Sequence, residues 1–240
     1  MAAATVGMVN PMPTDHLPEG EAKRNAVREM FDTIAPRYDL VNRVMTFRLD
    51  VGLRKKTMKT CAFAPNSLVL DLAAGTGDFC RELHKGDHLA VGVDLSYGML
   101  AAARTSAPLV QGDLLTLPIL NESVDGAVCG YALRNLVELP AFFSELHRVV
   151  RTGGRIGLLD VSRPDSRFLR SGYDVYFNRV VPKIGALLSD GSAYNYLPRS
   201  LSYLPDRSVM MQMLRDAGFV DVVHDQLQGG LSQLLTATRD

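Results

Sequence analysis

The stretch Leu68-Val-Leu-Asp-Leu-Ala-Ala-Gly-Thr-Gly-Asp78 determines how the rest of the 240-residue chain is interpreted. A short apolar run typical of a buried strand leads into the pair Gly75 and Gly77, after which a helix is predicted to begin. Small residues at such a turn let the backbone approach a ligand closely, and the helix N terminus offers free N–H groups. Ordinary turns also contain glycine pairs, so this stretch predicts a nucleotide-type site only together with its surroundings.

Those surroundings alternate between strands and helices. Apolar runs predict buried strands at 68–72, 89–93, 109–111, 124–129 and 155–159, with helices near 78–85, 97–105 and 139–150 between them. A helix near 206–217 precedes a predicted hairpin of 220–225 and 231–238, joined at Gly229-Gly230. The pattern predicts an α/β fold with a mostly parallel, Rossmann-like sheet of seven strands and a C-terminal antiparallel hairpin.

A single domain is predicted for 21–240, after a flexible tail at 1–20 that contains no lysine or arginine. Its N-terminal helices, within 21–66, begin with apolar residues at helical spacing from Val27 to Ile34, and the first helix ends at Pro36. A second helix at 50–61 is predicted to carry a basic face of Arg54, Lys55, Lys56 and Lys59. The segment 162–205 holds five of the eight tyrosines, and we interpret it as a substrate-covering insertion or as packing at the sheet edge.

The composition excludes several classes of protein. Lysine plus arginine and aspartate plus glutamate both number 26, so we expect no nucleic-acid partner. Three widely spaced cysteines and five histidines without ligand spacing predict no metal site and a reducing compartment, which favours the cytoplasm. No run reaches the roughly 18 apolar residues of a membrane-spanning helix, which leaves peripheral contact at the inner face of the membrane open. His147 and His224 are predicted to be structural.

Carboxylates at the ends of successive strands indicate which ligand the site binds. Asp94 ends the second strand, where it can accept hydrogen bonds from ribose hydroxyls, and Asp113 follows the third, where it can accept from an adenine amino group. Cys80 occupies the third glycine position of the dinucleotide fingerprint, and Asp71 would repel a pyrophosphate. The cationic donor S-adenosylmethionine is therefore favoured over NAD, which remains the alternative.

Several separate motifs carry a resemblance to a known family. They are Phe31-Asp-Thr-Ile-Ala-Pro-Arg-Tyr-Asp39, Asp71-Leu-Ala-Ala-Gly-Thr-Gly-Asp78, Leu133-Arg134-Asn135 and Ala193-Tyr194-Asn-Tyr196-Leu-Pro198. On these motifs the chain resembles the quinone-biosynthesis C-methyltransferases, from about residue 25 to residue 238. The family often has serine-phenylalanine-glycine where this chain has Gly130-Tyr131-Ala132, and glutamate where it has Asp160.

The resemblance implies a class I methyltransferase that uses S-adenosylmethionine and no metal. It implies methylation of demethylmenaquinol to menaquinol; the alternatives are a ubiquinol precursor, another hydrophobic acceptor, or a module that binds the cofactor without catalysis. The implied partner is a polyprenylated quinol, and a homodimer is left open. The implied cofactor-binding residues are Asp71, Ala73, Gly75, Thr76, Gly77, Asp94, Leu95, Asp113, Leu114 and Gly130.

The resemblance also implies the residues that act on the acceptor. Arg134 would lower the pKa of a quinol hydroxyl, or else would pair with a carboxylate such as Asp39, and Asn135 would hold a quinol oxygen. Tyr38 and Asp39 would close over the site, with Asp39 as a proton acceptor or as an acidic helix cap. The substrate-lining residues would be Tyr131 together with Tyr194 and Tyr196, and the last two could equally be core tyrosines.

Overall fold

The seven strands of the computed structural model, which describes residues 19–46, 49–162, 164, 166 and 200–240, form one sheet. They are β1 (Leu68–Leu72), β2 (Leu89–Asp94), β3 (Leu109–Gln111), β4 (Val124–Gly130), β5 (Val150–Val161), β6 (Phe219–Leu227) and β7 (Ser232–Arg239). Their order in the sheet is β3-β2-β1-β4-β5-β7-β6. The first five strands are parallel, and β7 pairs antiparallel with both β5 and β6. The predicted parallel sheet with an antiparallel hairpin is confirmed.

Seven α-helices accompany the sheet in the described ranges. They are α1 (Gly20–Ile34), α2 (Tyr38–Met45), α3 (Leu49–Cys61), α4 (Asp78–Lys85), α5 (Tyr97–Ala101), α6 (Leu139–Val149) and α7 (Arg207–Asp216). As predicted, α1 ends before Pro36, which lies in the 3₁₀ turn Ala35–Arg37. None of the helices in this part of the chain combines the length and apolar character that a bilayer crossing requires.

Two elements depart furthest from their predicted bounds. Helix α5 ends at Ala101 instead of 105, because the chain turns back and the Arg104 N–H donates to the Thr76 carbonyl oxygen at 3.1 Å. Strand β5 begins at Val150 instead of 155, because Val150 already pairs with Val124 and the residues between form an irregularity that contains Gly153, with φ of 76°.

The alternation of side chains along the strands creates a hydrophobic core on each face of the sheet. Val69, Val128 and Leu159 pack with residues of α3 and α4 on one face. Leu70 and Leu72 point to the other face, where the core includes buried residues of α6 and α7: Phe142, Phe143, Leu146, Met210 and Leu214. This two-sided packing leaves the carboxyl ends of the parallel strands as the place where ligands bind in such sheets.

Residues 20–46, which we call the N-terminal cover, contact the loops at those strand ends through polar side chains. Asp32 Oδ1 accepts hydrogen bonds from Ser96 Oγ at 2.6 Å and from the Gly98 N–H at 2.8 Å. Thr76 Oγ1 donates to Asp39 Oδ1 at 2.6 Å. Two cations of the cover also donate hydrogen bonds to these loops, Lys23 to the Leu136 carbonyl oxygen and Arg24 to Asp113.

The basic face predicted for the second helix is only partly present. Lys55, Lys56 and Lys59 are exposed on α3, but Arg54 is buried, with 6% of its surface accessible. Its guanidinium pairs with Asp50 one turn earlier and with Asp78 at the start of α4. Arg54 faces the protein interior because these carboxylates balance its charge there, so the prediction was wrong for this residue.

Some predictions lie outside the described residues. These are the tail up to residue 18, most of the segment 162–205, and the two tyrosines Tyr194 and Tyr196. The domain division and the substrate-covering role of 162–205 therefore stay predictions.

The close packing of α3 on β5 predicts how a substitution at Gly157 changes stability, and Gly52 on α3 provides a control. A Cβ at Gly157 would overlap Cys61 Sγ and would lie 2.9 Å from Thr57 Cγ2, so Gly157→Ala should lower the free energy of unfolding by about 1–3 kcal/mol. Gly52, on the exposed side of the same helix, has no atom near such a Cβ, so Gly52→Ala should raise it by about 0.5–1 kcal/mol. Urea unfolding measures both, and equal shifts would contradict the close approach.

Candidate active site

The glycine loop, residues 73–77, links β1 to α4 and carries the backbone conformations that its sequence predicts. Gly75 and Gly77 have φ of 54° and 81°, in the left-handed region. The Gly75 N–H donates to Asp94 Oδ2 at 2.8 Å, and a Cβ at Gly75 would lie 3.0 Å from Met99 Cε. The loop is thereby held against the end of β2, and its glycines keep open a space that side chains would fill.

Two further carboxylates lie at the carboxyl ends of the neighbouring strands: Asp94 ends β2, and Asp113 follows β3. Asp94 accepts from the Gly75 and Ser96 N–H groups with separate oxygens, and Asp113 accepts from the Leu115 N–H and from Arg24. A carboxylate has about four acceptor positions, so each retains capacity for a ligand hydroxyl or amino group. Burial raises the pKa of Asp94, while its two backbone hydrogen bonds favour the ionised form.

Asp71 lies beneath the glycine loop with 1% of its surface accessible. Its Oδ2 accepts from the Cys80 N–H at 2.9 Å, and burial raises its pKa to about 7. A cationic ligand in the space above would stabilise the ionised carboxylate. The protonation state of Asp71, beneath the site, therefore depends on the charge of the bound ligand.

A cleft with a cavity volume of about 100 Å³ opens at the carboxyl ends of the strands, beneath the N-terminal cover. The structure brings ten of the predicted site residues to its walls: Tyr38, Ala73, Gly75, Asp94, Leu95, Asp113, Leu114, Gly130, Tyr131 and Asn135. We call this space the outer cleft.

An apolar wall of the outer cleft was missed by the sequence analysis. It consists of Val27, Phe31, Met99, Leu115, Leu136 and Val137. Val27 and Phe31 were recognised as the apolar stripe of a helix, but periodicity does not say whether such a stripe meets protein or ligand. Here the stripe of α1 lies over the strand ends and faces the cleft.

A second, smaller space with a cavity volume of about 30 Å³ adjoins the outer cleft and shares Tyr38, Ala73, Gly75 and Gly130 with it. We call it the inner cavity. Two further predicted residues, Asp71 and Thr76, line it, together with Arg54, Asp78 and Phe79, for which no site role was predicted. The signal for Arg54 was its i,i+4 spacing from Asp50, an ion pair that also occurs on exposed helices.

Arg134 is paired with a carboxylate, but the partner is Asp160 and not Asp39, which the sequence had suggested. Its Nη1 donates to Asp160 Oδ1 and, at 2.8 Å, to the Tyr131 carbonyl oxygen. Asp160, fully buried on β5, fills the position where the family often has glutamate. The suggested pairing with Asp39 is corrected: Asp39 lies in the first turn of α2 and accepts from Thr76, with Arg43 Nη2 at 3.8 Å.

Tyr38 lies where the outer cleft and the inner cavity meet. Its ring packs edge-on against Phe31, with centroids 6.0 Å apart. Burial raises the pKa of Tyr38 to about 12, while the positive charges of Arg54 and Arg134 act in the opposite direction. At neutral pH its hydroxyl is therefore protonated and able to donate a hydrogen bond.

The site fits a donor that carries adenosine at one end and positive charge at the other. Asp94 and Asp113 offer acceptors at the outer cleft, the glycine loop leaves room, and Asp71 lies under it. Within the described ranges no cluster of three or more histidine, cysteine, aspartate or glutamate side chains is arranged to hold a metal ion.

The strand order, the helices on both faces and the glycine loop after β1 define a class I, Rossmann-like methyltransferase fold. A solved SAM-dependent methyltransferase from Thermotoga maritima is similar, with a TM-score of 0.63 and 18% identity over 89% of this chain and 99% of that one. A profile of the ubiE/COQ5 methyltransferase family matches residues 19–239, and the chain belongs to that family.

Two curated relatives support the assignment. The demethylmenaquinone methyltransferase of Roseiflexus castenholzii is 39% identical over 95% of this chain and 99% of its own length. The ubiquinone/menaquinone biosynthesis C-methyltransferase UbiE of Syntrophotalea carbinolica is 37% identical over 88% of this chain and 93% of its own length.

The close contact between Gly130 and the Phe79 ring predicts that substitutions at these two positions are coupled in their effect on stability. A Cβ at Gly130 would lie 2.7 Å from Phe79 Cε2, so Gly130→Ser, which introduces the residue frequent in the family, should cost about 1–3 kcal/mol of stability. Phe79→Leu added to it should recover most of that loss, because it removes the ring. Thermal unfolding of the two single variants and the double variant measures the coupling, and additive effects would show that the ring is not the obstacle.

The raised pKa of Asp71 predicts how stability depends on pH. The folded carboxyl binds its proton up to pH about 7, while the unfolded one loses it near 3.8. Raising the pH from 4 to 7 therefore favours the unfolded chain, by up to about 1.4 kcal/mol per unit. Asp71→Asn should remove this decline in urea-unfolding free energies between pH 5 and 7.5, and a parallel decline in both proteins would contradict it.

Proposed function

We propose that this protein transfers a methyl group from S-adenosylmethionine to a ring carbon of demethylmenaquinol, giving menaquinol. The observation that carries the proposal is that Tyr38 and Asn135 line the same cleft as the glycine loop and Asp94, so acceptor groups and donor groups face one space. The names of both curated relatives agree with this reaction.

The donor side of the cleft is built from the strand-end residues. Asp94 would accept from the ribose hydroxyls and Asp113 from the adenine amino group, with Leu95 and Leu114 beside them. Arg24 reaches Asp113 from the N-terminal cover at 2.8 Å, so the adenine end would be bound where the cover meets the sheet. When bound, the donor supplies an electrophilic methyl group.

The acceptor side combines an apolar wall with polar groups at its end. A planar aromatic ring would pack against Phe31 and Met99, and Asn135 would hold one of its oxygens. Tyr38, protonated at neutral pH, would donate a hydrogen bond to a second oxygen or to the same one as it becomes negative. Tyr131, whose φ of 62° lies in the left-handed region, adds a further aromatic side chain.

The chemistry requires a nucleophilic ring carbon. Removing a proton from the adjacent quinol hydroxyl gives a phenolate; its carbon then forms the new C–C bond as the methyl–sulfur bond breaks, and loss of the ring proton restores the aromatic system. Arg134 is held by Asp160 and the Tyr131 carbonyl, which fixes its charge near Tyr38. A fixed cation at that place stabilises the phenolate and lowers the pKa of the hydroxyl.

Asp39 has two roles that remain within the proposal. Its carboxylate accepts from Thr76 of the glycine loop, which ties α2 to the donor site. Its second oxygen, 3.8 Å from Arg43, would accept the quinol proton through water.

Contact with a membrane surface belongs to the same proposal, because a polyprenylated quinol resides in lipid. Three exposed lysines, Lys55, Lys56 and Lys59, lie on α3, and the side chains of Leu49, at the start of α3, and Leu40, on α2, are about half exposed. Lysines with exposed apolar residues beside them are suited to anionic headgroups.

The test is methyl transfer from labelled S-adenosylmethionine to chemically reduced demethylmenaquinol, with a reduced ubiquinone precursor in a parallel reaction. We expect labelled menaquinol, and none from the oxidised quinone, because only the quinol forms a phenolate. Asn135→Ala should lower kcat about 10²- to 10³-fold and leave S-adenosylhomocysteine affinity unchanged.

Lys85→Gln, which removes an exposed ion pair with Glu82, serves as the control and should keep full activity. Preference for the ubiquinone precursor would change the substrate and keep the chemistry. Cofactor binding without a labelled product from either acceptor would overturn the proposal.

A further inference from the structure

Arg54 is a buried cation in the inner cavity for which the reaction described above has no use. Its Nη1 donates to Asp50 Oδ2 at 2.5 Å, and its Nη2 lies 3.1 Å from Asp78 Oδ2. Its Nε has no hydrogen-bond partner among the described residues. An arginine has five N–H donors in a planar fork, so the two carboxylates leave part of its capacity unused.

The ion pairs around Arg54 do not depend on it alone. Asp78 also pairs with Arg81, whose side chain is partly exposed, and Arg81 further donates to the Thr76 carbonyl at 2.8 Å. The cluster of Asp50, Arg54, Asp78 and Arg81 is therefore neutral. Burying a guanidinium is costly unless it is paired, and apolar residues often replace such groups without loss of stability. A stabilising role is thus a weak explanation for this cation.

The position of the guanidinium points towards the inner cavity. Its central carbon lies 5.5 Å from the Tyr131 ring centroid and 5.7 Å from that of Phe79. Among the described residues that line this cavity, Arg54 is the one lysine or arginine, and two carboxylates, Asp71 and Asp78, line it as well. The cavity therefore offers groups for both signs of charge.

We propose that Arg54 binds the carboxylate at the amino-acid end of the methyl donor. This rests on the donor of the proposed function and not on its acceptor. With ribose and adenine at Asp94 and Asp113 in the outer cleft, the amino-acid end extends towards the inner cavity, which adjoins it at the glycine loop. That end carries an ammonium and a carboxylate, and the planar fork of arginine matches a carboxylate.

The charge of each group at the amino-acid end of the donor determines which residues would bind it. The sulfonium and the ammonium are positive and would be stabilised by carboxylates, and two of these, Asp71 and Asp78, line the inner cavity. The donor's own carboxylate would be repelled by them. Arg54 supplies the compensating charge.

The experiment compares two ligands that differ only in the carboxylate: S-adenosylhomocysteine and its decarboxylated analogue, S-adenosyl-3-thiopropylamine. Calorimetry on the full chain requires no acceptor, so the result does not depend on the identity of the quinol. For Arg54→Gln we expect roughly a 10- to 100-fold loss of S-adenosylhomocysteine affinity and less than a roughly twofold change for the analogue. Equal losses for both ligands, or no loss for either, would overturn the proposal.

Two further variants keep the result interpretable. Asp50→Asn combined with Arg54→Gln removes the carboxylate that the single change leaves buried, with Asp78 still paired to Arg81, and should show the same selective loss in a chain of near-normal stability. Arg54→Lys should recover part of the affinity. Arg151→Gln removes an arginine paired with Asp125 on the surface, and it should bind both ligands as the unchanged chain does.

Discussion

The carboxylate of Asp94 is the constraint on which the rest of the site depends. One oxygen accepts from Gly75, in the loop that follows β1, and the other from Ser96, in the loop that follows β2. Two neighbouring loops are thereby held in one arrangement, and the space between them becomes the cleft. The N-terminal cover uses the same loops, since Asp32 binds Ser96 and Gly98, and Asp39 binds Thr76.

The parallel sheet was predictable from sequence because each strand is a continuous apolar run between turn residues. Strands β1 and β3 have the predicted bounds. The carboxylates Asp94 and Asp113 could be predicted as well, because Asp94 ends β2 and Asp113 follows β3. The ends of α5 and β5 were not predictable, since they depend on the hydrogen bond from Arg104 to Thr76 and on the pairing of Val150 with Val124. Both contacts join parts of the chain that local propensity treats separately.

The identity of ion-pair partners was the least predictable part of the site. The partner of Arg134, Asp160, is 26 residues away, and only the adjacency of β4 and β5 brings the two together. Arg54 was assigned to the basic face of its helix because Lys55, Lys56 and Lys59 follow it closely in sequence. Which face of α3 meets the sheet is determined by Gly157, whose missing side chain allows that helix to approach β5.

The N-terminal cover also has a consequence for the order of events during folding. Its residues are synthesised before their partners, with sequence separations of 64 residues from Asp32 to Ser96 and 113 from Lys23 to Leu136. Contacts so distant in sequence close large loops and form slowly. The helices that cover the cleft are therefore synthesised before the strands onto which they dock, and the cleft is complete only once the central strands have assembled beneath them.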